Sequence, residues 1–523
     1  MKFLQHFRWL NRVNHNVTTR NDSVFDAGLD NPAMNLPELD DIDTAVLLST
    51  FTCKKKSFKV FFHKNQIVWD RVKAPFAQTR VSIEDVISVR HTVKRGGYCD
   101  HEEVEINPNS FIIHYATLES NNCLKYANVV FSHTDPMQVQ SWVKTLQNFL
   151  KKIARPKNIL MFVNPFGGRR QGIKINQKIC KPLFEIAGVE VTVIVSQRKN
   201  QIRDYILEHS MDHYDAVACV GGDGTVSEIF NGLVMRECRD QCIDIDDANV
   251  DLPTPKMPIG IIPGGSTDTI SYCLHGTTDI TTAVLYIILG QRLGMDLVSV
   301  YDHHKLLRLY ASVLSYGYLG DVIYHSEKYR WMGPRRYDYS GFKTIIANKG
   351  YEGEIAIKAM DDAPASPIKC VADCKECGDR GDNSGKPPEE AWRSVQGKFF
   401  MISGANISCS CDRTPNGIAP FCHLGNGQLH MVVVRHTSLL NNLRLLLRLT
   451  DRSRGLGEFP FVEVHQGSEF CFRPLNATSK WNCDGELQHE TEIRAKVRCQ
   501  LLTVFGRGRP DQEPVVRRCG VCC

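Results

Sequence analysis

Four times between residues 155 and 297 a short apolar run stops at a loop of glycine or polar residues, and a helix-like stretch follows. "NILMFV" precedes "NPFGGRRQG", "VEVTVIV" precedes "SQRKNQ", "DAVACV" precedes "GGDG", and "PIGIIP" precedes "GGSTD". Runs this short and this apolar read as strands buried on both faces, and their alternation with helices builds a parallel α/β sheet. The four loops then share one sheet edge, where open α/β sheets bind ligands.

The third loop, Gly221, Gly222, Asp223 and Gly224, is the most informative. Behind it Val226, Ile229, Phe230 and Leu233 recur at i, i+3, i+4 and i+7, the spacing of an amphipathic helix. Glycines admit a ligand close to the backbone, and a helix N-terminus favours an anion, so phosphate is the leading ligand. An acidic residue there is odd for phosphate binding alone. It points to chemistry, with Asp223 drawing a proton from a hydroxyl nucleophile. G-G-D-G is also a common turn composition, and the motif by itself leaves both readings open.

Residues 45–152 have a different texture. Strand-like segments such as "SFKVFFHKNQIVW", "SFIIHYA" and "KYANVVFS" lead to one helix, "DPMQVQSWVKTLQNFLKK", capped by Asp135 with Pro136 in its first turn. This order resembles a pleckstrin-homology domain. Lys54, Lys55, Lys56, Lys59 and Lys64 are its candidates for lipid phosphates such as phosphoinositides, against the alternative of a solvated lysine face. Residues 298–506 are strand-rich again, as expected of an antiparallel sandwich, with a flexible Cys-containing insertion at 361–391. The fold class is thus α/β plus all-β. Residues 1–44 and 507–523 read as tails.

Composition sets the surroundings. The net charge of +5 permits attraction to anionic membranes without demanding it, and nothing indicates a nucleic-acid partner. No apolar run reaches bilayer-spanning length and none has the form of a secretory signal, which predicts a cytoplasmic protein peripherally associated with membranes. The twenty cysteines then read as reduced thiols, some of them on metal. Residues 1–20 carry Lys2, Arg8, Arg12 and Arg20 without an acid, which fits a membrane-surface helix, a targeting segment or a plain tail. The terminal Cys519, Cys522 and Cys523 are candidates for lipidation beside the plain-thiol reading.

Together "VNPFGG", "VGGDGTVSE", "PGGSTD", "SEKYRWMGPRRYDYSG" and "NCDGE" resemble the diacylglycerol-kinase superfamily, which includes the sphingosine kinases. The leading domain, "LSYGYLGDVIYHSEKYRWMG" and the cysteines 370, 374 and 377 are most similar to the ceramide kinases. The resemblance covers residues 45–506. It implies ATP in a cleft between the α/β and sandwich domains, Mg²⁺, and transfer of phosphate to the primary hydroxyl of ceramide at the Golgi or plasma membrane. Asn164, Pro165 and Phe166, with Ser196, Gln197, Arg198, Lys199 and Asn200, would line the nucleotide pocket. Gly265, Ser266 and Thr267 would approach the phosphates, Glu228 and Glu486 the sugar or base, and Arg330 and Arg336 would neutralise phosphate charge. Asp223 would be the base. Asp484, beside Gly485, would support Mg²⁺ directly or through water, unless it is simply a turn residue.

Asp321 and Ile323 would meet the lipid, with Ile323 suiting a neutral amide where a carboxylate would suit a sphingoid amine; a core position facing away is the alternative for Ile323. Cys370, Cys374 and Cys377 would hold Zn²⁺ with Cys409 or Cys411 as fourth ligand. "SLLNNLRLLLRLTDRSR", with Arg444, Arg448 and Arg452 on one face, resembles a segment proposed to bind Ca²⁺/calmodulin, or is an ordinary edge helix. Two rivals stay open: sphingosine or diacylglycerol as acceptor, and an inactive lipid-binding scaffold on the same fold.

Overall fold

The computed structural model describes residues 46–72, 74–94, 105–119, 122–168, 170–332, 335–360, 368–372, 374–378, 390–412, 414–449, 456–476 and 479–507. The expectations for residues 1–44, Arg452 and Cys519, Cys522 and Cys523 lie outside these residues, as does the side chain of Arg330. The chain divides into two compact units, one ending at Ser82 and the other beginning at Ile83.

The first unit is an antiparallel meander of β1 (Leu47–Cys53), β2 (Lys56–His63), β3 (Gln66–Arg71) and β4 (Ala74–Ser82). Its first two turns are two-residue hairpins, Lys54-Lys55 and Lys64-Asn65, with φ of 49° and 63°, then 48° and 60°. Left-handed φ at both positions is the hairpin geometry whose twist matches the flanking strands. Lys54, Lys55 and Lys56 therefore sit at one end of β2 and Lys64 at the other, about 26 Å away at 3.3 Å per residue. The five lysines do not form one patch.

The second unit opens with β5 (Val86–Lys94), β6 (Glu105–Leu118) and β7 (Leu124–Ser132), paired antiparallel in that order, and α1 (Pro136–Lys152). The Asp135 side chain accepts the Met137 N–H at 2.8 Å, and Val139, Trp142, Val143, Leu146 and Phe149 form the buried stripe of α1. Trp142 stacks against Phe111 of β6.

Next come β8 (Asn158–Val163), a helical stretch of α2 (Gly172–Ile175) and α3 (Lys181–Ala187) joined by one wider turn, β9 (Glu190–Val195) and α4 (Gln201–Glu208). They are followed by β10 (Ala216–Gly221), α5 (Asp223–Asp240), β11 (Ile259–Pro263), α6 (Thr269–His275) and α7 (Ile280–Leu289). The strands are parallel in the order β9-β8-β10-β11. Side chains alternate across a strand, so the central runs are apolar throughout for a reason. Leu160, Phe162, Val217 and Cys219 pack on Val226, Ile229, Phe230 and Leu233 of α5, while Ile159, Met161, Ala218 and Val220 pack with α7 on the opposite face.

The remainder is mainly antiparallel. It comprises β12 (Arg292–Tyr301), β13 (Leu306–Tyr310), β14 (Val313–Gly317), α8 (Tyr318–Ser326), α9 (Arg335–Ala347), β15 (Tyr351–Met360), the short α10 (Lys375–Gly378), β16 (Glu390–Ala405) and β17 (Leu429–Arg435). Then follow α11 (Leu439–Arg448), β18 (Val462–Gly467), β19 (Glu469–Pro474), β20 (Trp481–Cys483), β21 (Glu486–Gln488) and β22 (Ile493–Phe505). Tyr310, Tyr316, Phe470, Phe472 and Trp481 fill the core. β22 pairs antiparallel with β12 and β19 and parallel with β11, so the two architectures share one continuous sheet.

One segment departs from the strand-rich expectation. "YLGDVIYHS" is helix α8, not strand: Gly317 has φ 78°, which breaks β14, and Tyr318, Asp321 and Val322 recur at helical spacing on the buried face. Among the described residues no helix is long and apolar enough to cross a membrane.

Arg155 fastens the three-strand module to the parallel sheet. Its guanidinium donates to the Val86 carbonyl at 2.6 Å and the Glu84 carbonyl at 2.7 Å, and burial draws its pKa down to about 10, so it is still charged at neutral pH. Arg155→Met removes a charged donor from both carbonyls. At roughly 1.5–3 kcal/mol for a hydrogen bond to a charged group, the melting temperature should fall by about 3–8 °C in a circular-dichroism melt. An unchanged melt would mean the guanidinium contributes no net stability.

Candidate functional site

The four loops at the carboxyl edge of the parallel strands meet the β20–β21 turn around a cleft of about 530 Å³. Asn164, Phe166, Ser196, Gln197, Arg198, Lys199, Gly222, Asp223, Gly224, Glu228, Gly265, Ser266, Thr267, Asp484 and Glu486 all line it. Pro165, Asn200, Gly221 and Gly485 adjoin these residues in the chain but are not among those that line the cleft. Gly167, Gly168, Ile202 and Thr225 line it too and were not singled out in the sequence.

Each loop is held by a side chain of its neighbour. Asn164 Oδ1 accepts the N–H groups of Phe166 (2.9 Å) and Gly167 (3.1 Å), and its Nδ2 donates to Thr225 Oγ1 at 3.0 Å. The first loop is thereby tied to the third. Glu228 accepts the N–H groups of Asn200 (2.9 Å) and Ile202 (3.1 Å), capping α4 and fixing the second loop. The third and fourth loops touch backbone to backbone: a Cβ on Gly265 would lie 2.5 Å from Gly222 Cα. Only glycine permits that approach.

Asp223 is the first residue of α5. Its two carboxylate oxygens accept the N–H groups of Thr269 (3.1 Å) and Ile270 (3.0 Å) at the start of α6. The residue is half-buried, with an edge open to the cleft, but its carboxylate is enclosed by loop backbone. That enclosure pushes its pKa up to about 6; the two N–H groups oppose the rise, and the charges of Asp268 and Asp484 add to it. Asp268, missed in the sequence, accepts the Gly265 N–H at 2.8 Å from a left-handed backbone position, φ 52°, and burial raises its pKa also.

Asp484 and Gly485 form the two-residue hairpin between β20 and β21, with φ of 47° and 90°. Asp484 is thus a turn aspartate and a cleft residue at once. Its carboxylate accepts the N–H groups of Ala311 (2.8 Å), Ser312 (3.1 Å) and Val313 (2.9 Å) and the Ser312 hydroxyl, which anchors the turn to the β13–β14 connection. Glu486 pairs with Arg308 and, at 3.2 Å, with Lys199. Arg308 also donates to Ser227 Oγ at 2.9 Å, so this chain of contacts joins the antiparallel part to the α/β part. An arginine within the apolar run "LLRLY" was the available signal for it.

Other candidates fall elsewhere. Arg336 does not line the cleft; it pairs with Glu327 at 3.7 Å and lies over the Tyr337 ring. Asp321 is buried in α8, where the Tyr351 and Ser479 hydroxyls donate to it. Ile323 is half-buried on the same helix. Residues two apart leave a helix about 200° apart, so Asp321 and Ile323 point to opposite faces and do not address one group together. Cys409 and Cys411 are not near-neighbours of the Cys370, Cys374 and Cys377 thiols. Cys409 Sγ faces the Ser312 and Ile407 carbonyls and Cys411 Sγ faces Thr414, while His423 completes the cluster. In α11, Arg448 pairs with Glu458 at 2.8 Å, and Leu440, Leu443 and Leu447 are exposed.

A parallel α/β sheet with glycine loops and a half-buried aspartate faces a mainly antiparallel part across a polar cleft, and the match to the diacylglycerol kinase catalytic domain makes the protein a lipid kinase of that class. Family models agree in register. The diacylglycerol kinase catalytic domain matches residues 158–300, the ceramide kinase C-terminal domain 312–480, and the ceramide kinase PH domain 47–146. The chain is 35% identical to mouse (Mus musculus) ceramide kinase, covering 78% of this chain and 85% of that one, and 34% identical to human (Homo sapiens) ceramide kinase, covering 83% and 90%. Among solved structures, a diacylglycerol kinase from Bacillus anthracis str. Sterne aligns at 16% identity and a TM-score of 0.46 over 68% of this chain and 98% of that one. The chain belongs to the ceramide kinase family.

The Asp223 environment has a cost that pH exposes. Its folded pKa of about 6 lies above the ordinary 3.8, so any stability linked to it is complete below about pH 4 and lost as pH rises through 6. The loss is at most about 3 kcal/mol, reduced by water in the cleft. Asp223→Asn removes this titration. Its melting temperature relative to wild type should rise between pH 4 and 6 and stay level above; a difference independent of pH would show that Asp223 titrates normally.

Proposed function

We infer that the protein transfers the γ-phosphate of ATP to the primary hydroxyl of ceramide, giving ceramide 1-phosphate. The observation that carries this reading is Asp223, an enclosed carboxylate with a pKa near 6 at the meeting of two glycine loops and a helix N-terminus. A base poised there takes a hydroxyl proton at neutral pH without remaining protonated. ATP would lie along the cleft, its phosphates against Gly265, Ser266 and Thr267 and the N–H groups of the glycine loops, its nucleoside toward Asn164, Phe166 and the 196–200 loop. Lys199 would contribute positive charge from the rim. Glu228, engaged in capping α4, acts by positioning that loop.

Mg²⁺ supplies charge neutralisation on the phosphate oxygens when bound. Asp484 fits an outer role toward it, through water, because its oxygens already accept three backbone N–H groups and a hydroxyl. Alignment and charge neutralisation then account for most of the rate, since phosphoryl transfer asks little covalent chemistry of the protein.

The same reading would bring the lipid toward α8, which packs on β20 and β21, with Asp321 as the hydrogen-bonding residue once a lipid group takes the place of the Tyr351 or Ser479 hydroxyl. The Lys54, Lys55 and Lys56 end of the PH domain would meet phosphoinositides at the Golgi or plasma membrane. Helix α11, with Arg444 beside exposed Leu440, Leu443 and Leu447, offers an amphipathic face for Ca²⁺/calmodulin.

The test is kinetic. Asp223→Asn should lower kcat by about 10²–10⁴-fold while ATP affinity, measured by calorimetry, is retained. The wild-type rate should fall about tenfold per pH unit below pH 6, as the base becomes protonated. Turnover near wild type in a folded Asp223→Asn protein would remove Asp223 from this role.

A further inference from the structure

Three thiols and one imidazole converge outside the lining of the nucleotide cleft. Cys374 and Cys377 flank one turn, with the Cys377 N–H donating to the Cys374 carbonyl at 3.2 Å; Cys370 precedes them, and His423 comes from the approach to β17. The three Sγ atoms and one ring nitrogen of His423 all lie within 4.8 Å of one another. Cys370 Sγ and Cys377 Sγ are 3.7 Å apart, and Cys374 Sγ is 3.2 Å from His423 Nδ1.

These separations discriminate. A disulfide needs sulfurs about 2.05 Å apart. Two thiolates on a tetrahedral ion with bonds of about 2.3 Å lie about 3.8 Å apart, and a thiolate and an imidazole nitrogen about 3.5 Å apart. The Cys370–Cys377 separation matches a tetrahedron's S–S edge, the Cys374–His423 separation is slightly shorter than its S–N edge, and the remaining separations are within 4.8 Å. His423 is almost wholly buried, and its Nε2 has no hydrogen-bond partner among the described residues, so whatever anchors the ring acts through Nδ1, the nitrogen facing the sulfurs.

We propose that Cys370, Cys374, Cys377 and His423 bind one Zn²⁺ as a closed structural site that fastens the cysteine-bearing segment to the strands shared by the two halves of the catalytic unit. Three sulfurs and one nitrogen with no fourth position open to solvent suit Zn²⁺ in a structural rather than a catalytic role. The attachment runs through Gln500. Its Nε2 donates to the Cys377 carbonyl at 2.6 Å and the Gly425 carbonyl at 2.9 Å, while its backbone N–H donates at 2.6 Å to the buried carboxylate of Asp296. Asp296 sits at the register shift between β12 and β22, the pair that runs from the parallel sheet into the antiparallel part. A metal here holds that junction from outside.

The full chain, purified reduced and without chelator from zinc-supplemented cells, is analysed by inductively coupled plasma mass spectrometry and zinc K-edge absorption. One zinc per chain with a shell of three sulfurs and one nitrogen is expected. His423→Ala should lose the metal, His423→Cys should keep it with a four-sulfur shell, and Cys411→Ser should leave content and shell unchanged. Chelation of the wild type should lower its melting temperature and leave that of His423→Ala unmoved. Absence of zinc from the folded wild type, full zinc content in His423→Ala, a Cys370–Cys377 disulfide in non-reducing peptide maps, or metal loss in a folded Cys411→Ser would each overturn the proposal.

Discussion

The grip of the Asp223 carboxylate on the first two N–H groups of α6 is the contact on which the catalytic unit's geometry depends. It joins the loop after β10 to the loop after β11 across backbones that only glycine allows to touch. Two N–H groups offset part of the cost of enclosing a charge, and the remainder appears as a pKa near 6. Structure and chemistry draw on the same strain. A fully satisfied carboxylate would hold the loops better and accept a proton less readily.

The cleft's other wall is positioned by a second carboxylate. Asp484 occupies a hairpin turn, yet its oxygens bind the backbone from Ala311 to Val313, so the turn cannot rotate away from β14. From the adjacent strand Glu486 reaches Lys199 and Arg308, and Arg308 reaches Ser227 on Asp223's own helix. Because β22 belongs to both the parallel and antiparallel parts of one sheet, these polar links adjust a geometry that the sheet already sets. Of these links the Lys199–Glu486 pair lies at the cleft surface, where a bound nucleotide would displace or tighten it.

Legibility in the sequence followed the locality of the physics. The four parallel strands could be read because burial on both faces makes them continuous apolar runs, and three of the four loops because glycines cluster at the strand ends, a composition that ordinary turns share. Helix α8 was misread because its start depends on the left-handed Gly317, and its buried polar Asp321 disguises the helical stripe. The lysines of the PH domain looked clustered because they are close in sequence, but a strand separates their ends. His423 was out of reach for the opposite reason. It is distant in sequence from the three cysteines and arrives beside them only through the packing of the approach to β17. Asp268 and Arg308 act by hydrogen bonds to backbone and to side chains from other elements, which no periodicity records.

The central claim is phosphoryl transfer to a lipid hydroxyl in the cleft organised by Asp223. Its most direct measurement is transfer from γ-labelled ATP, with Mg²⁺, to ceramide, sphingosine and diacylglycerol presented separately in mixed micelles, with the labelled lipid identified by mass spectrometry. The account predicts label on the primary hydroxyl of ceramide, well above either competitor, and none without added lipid. Absence of label on every lipid, with ATP still bound, would contradict the claim, and equal labelling of sphingosine would contradict the choice of ceramide.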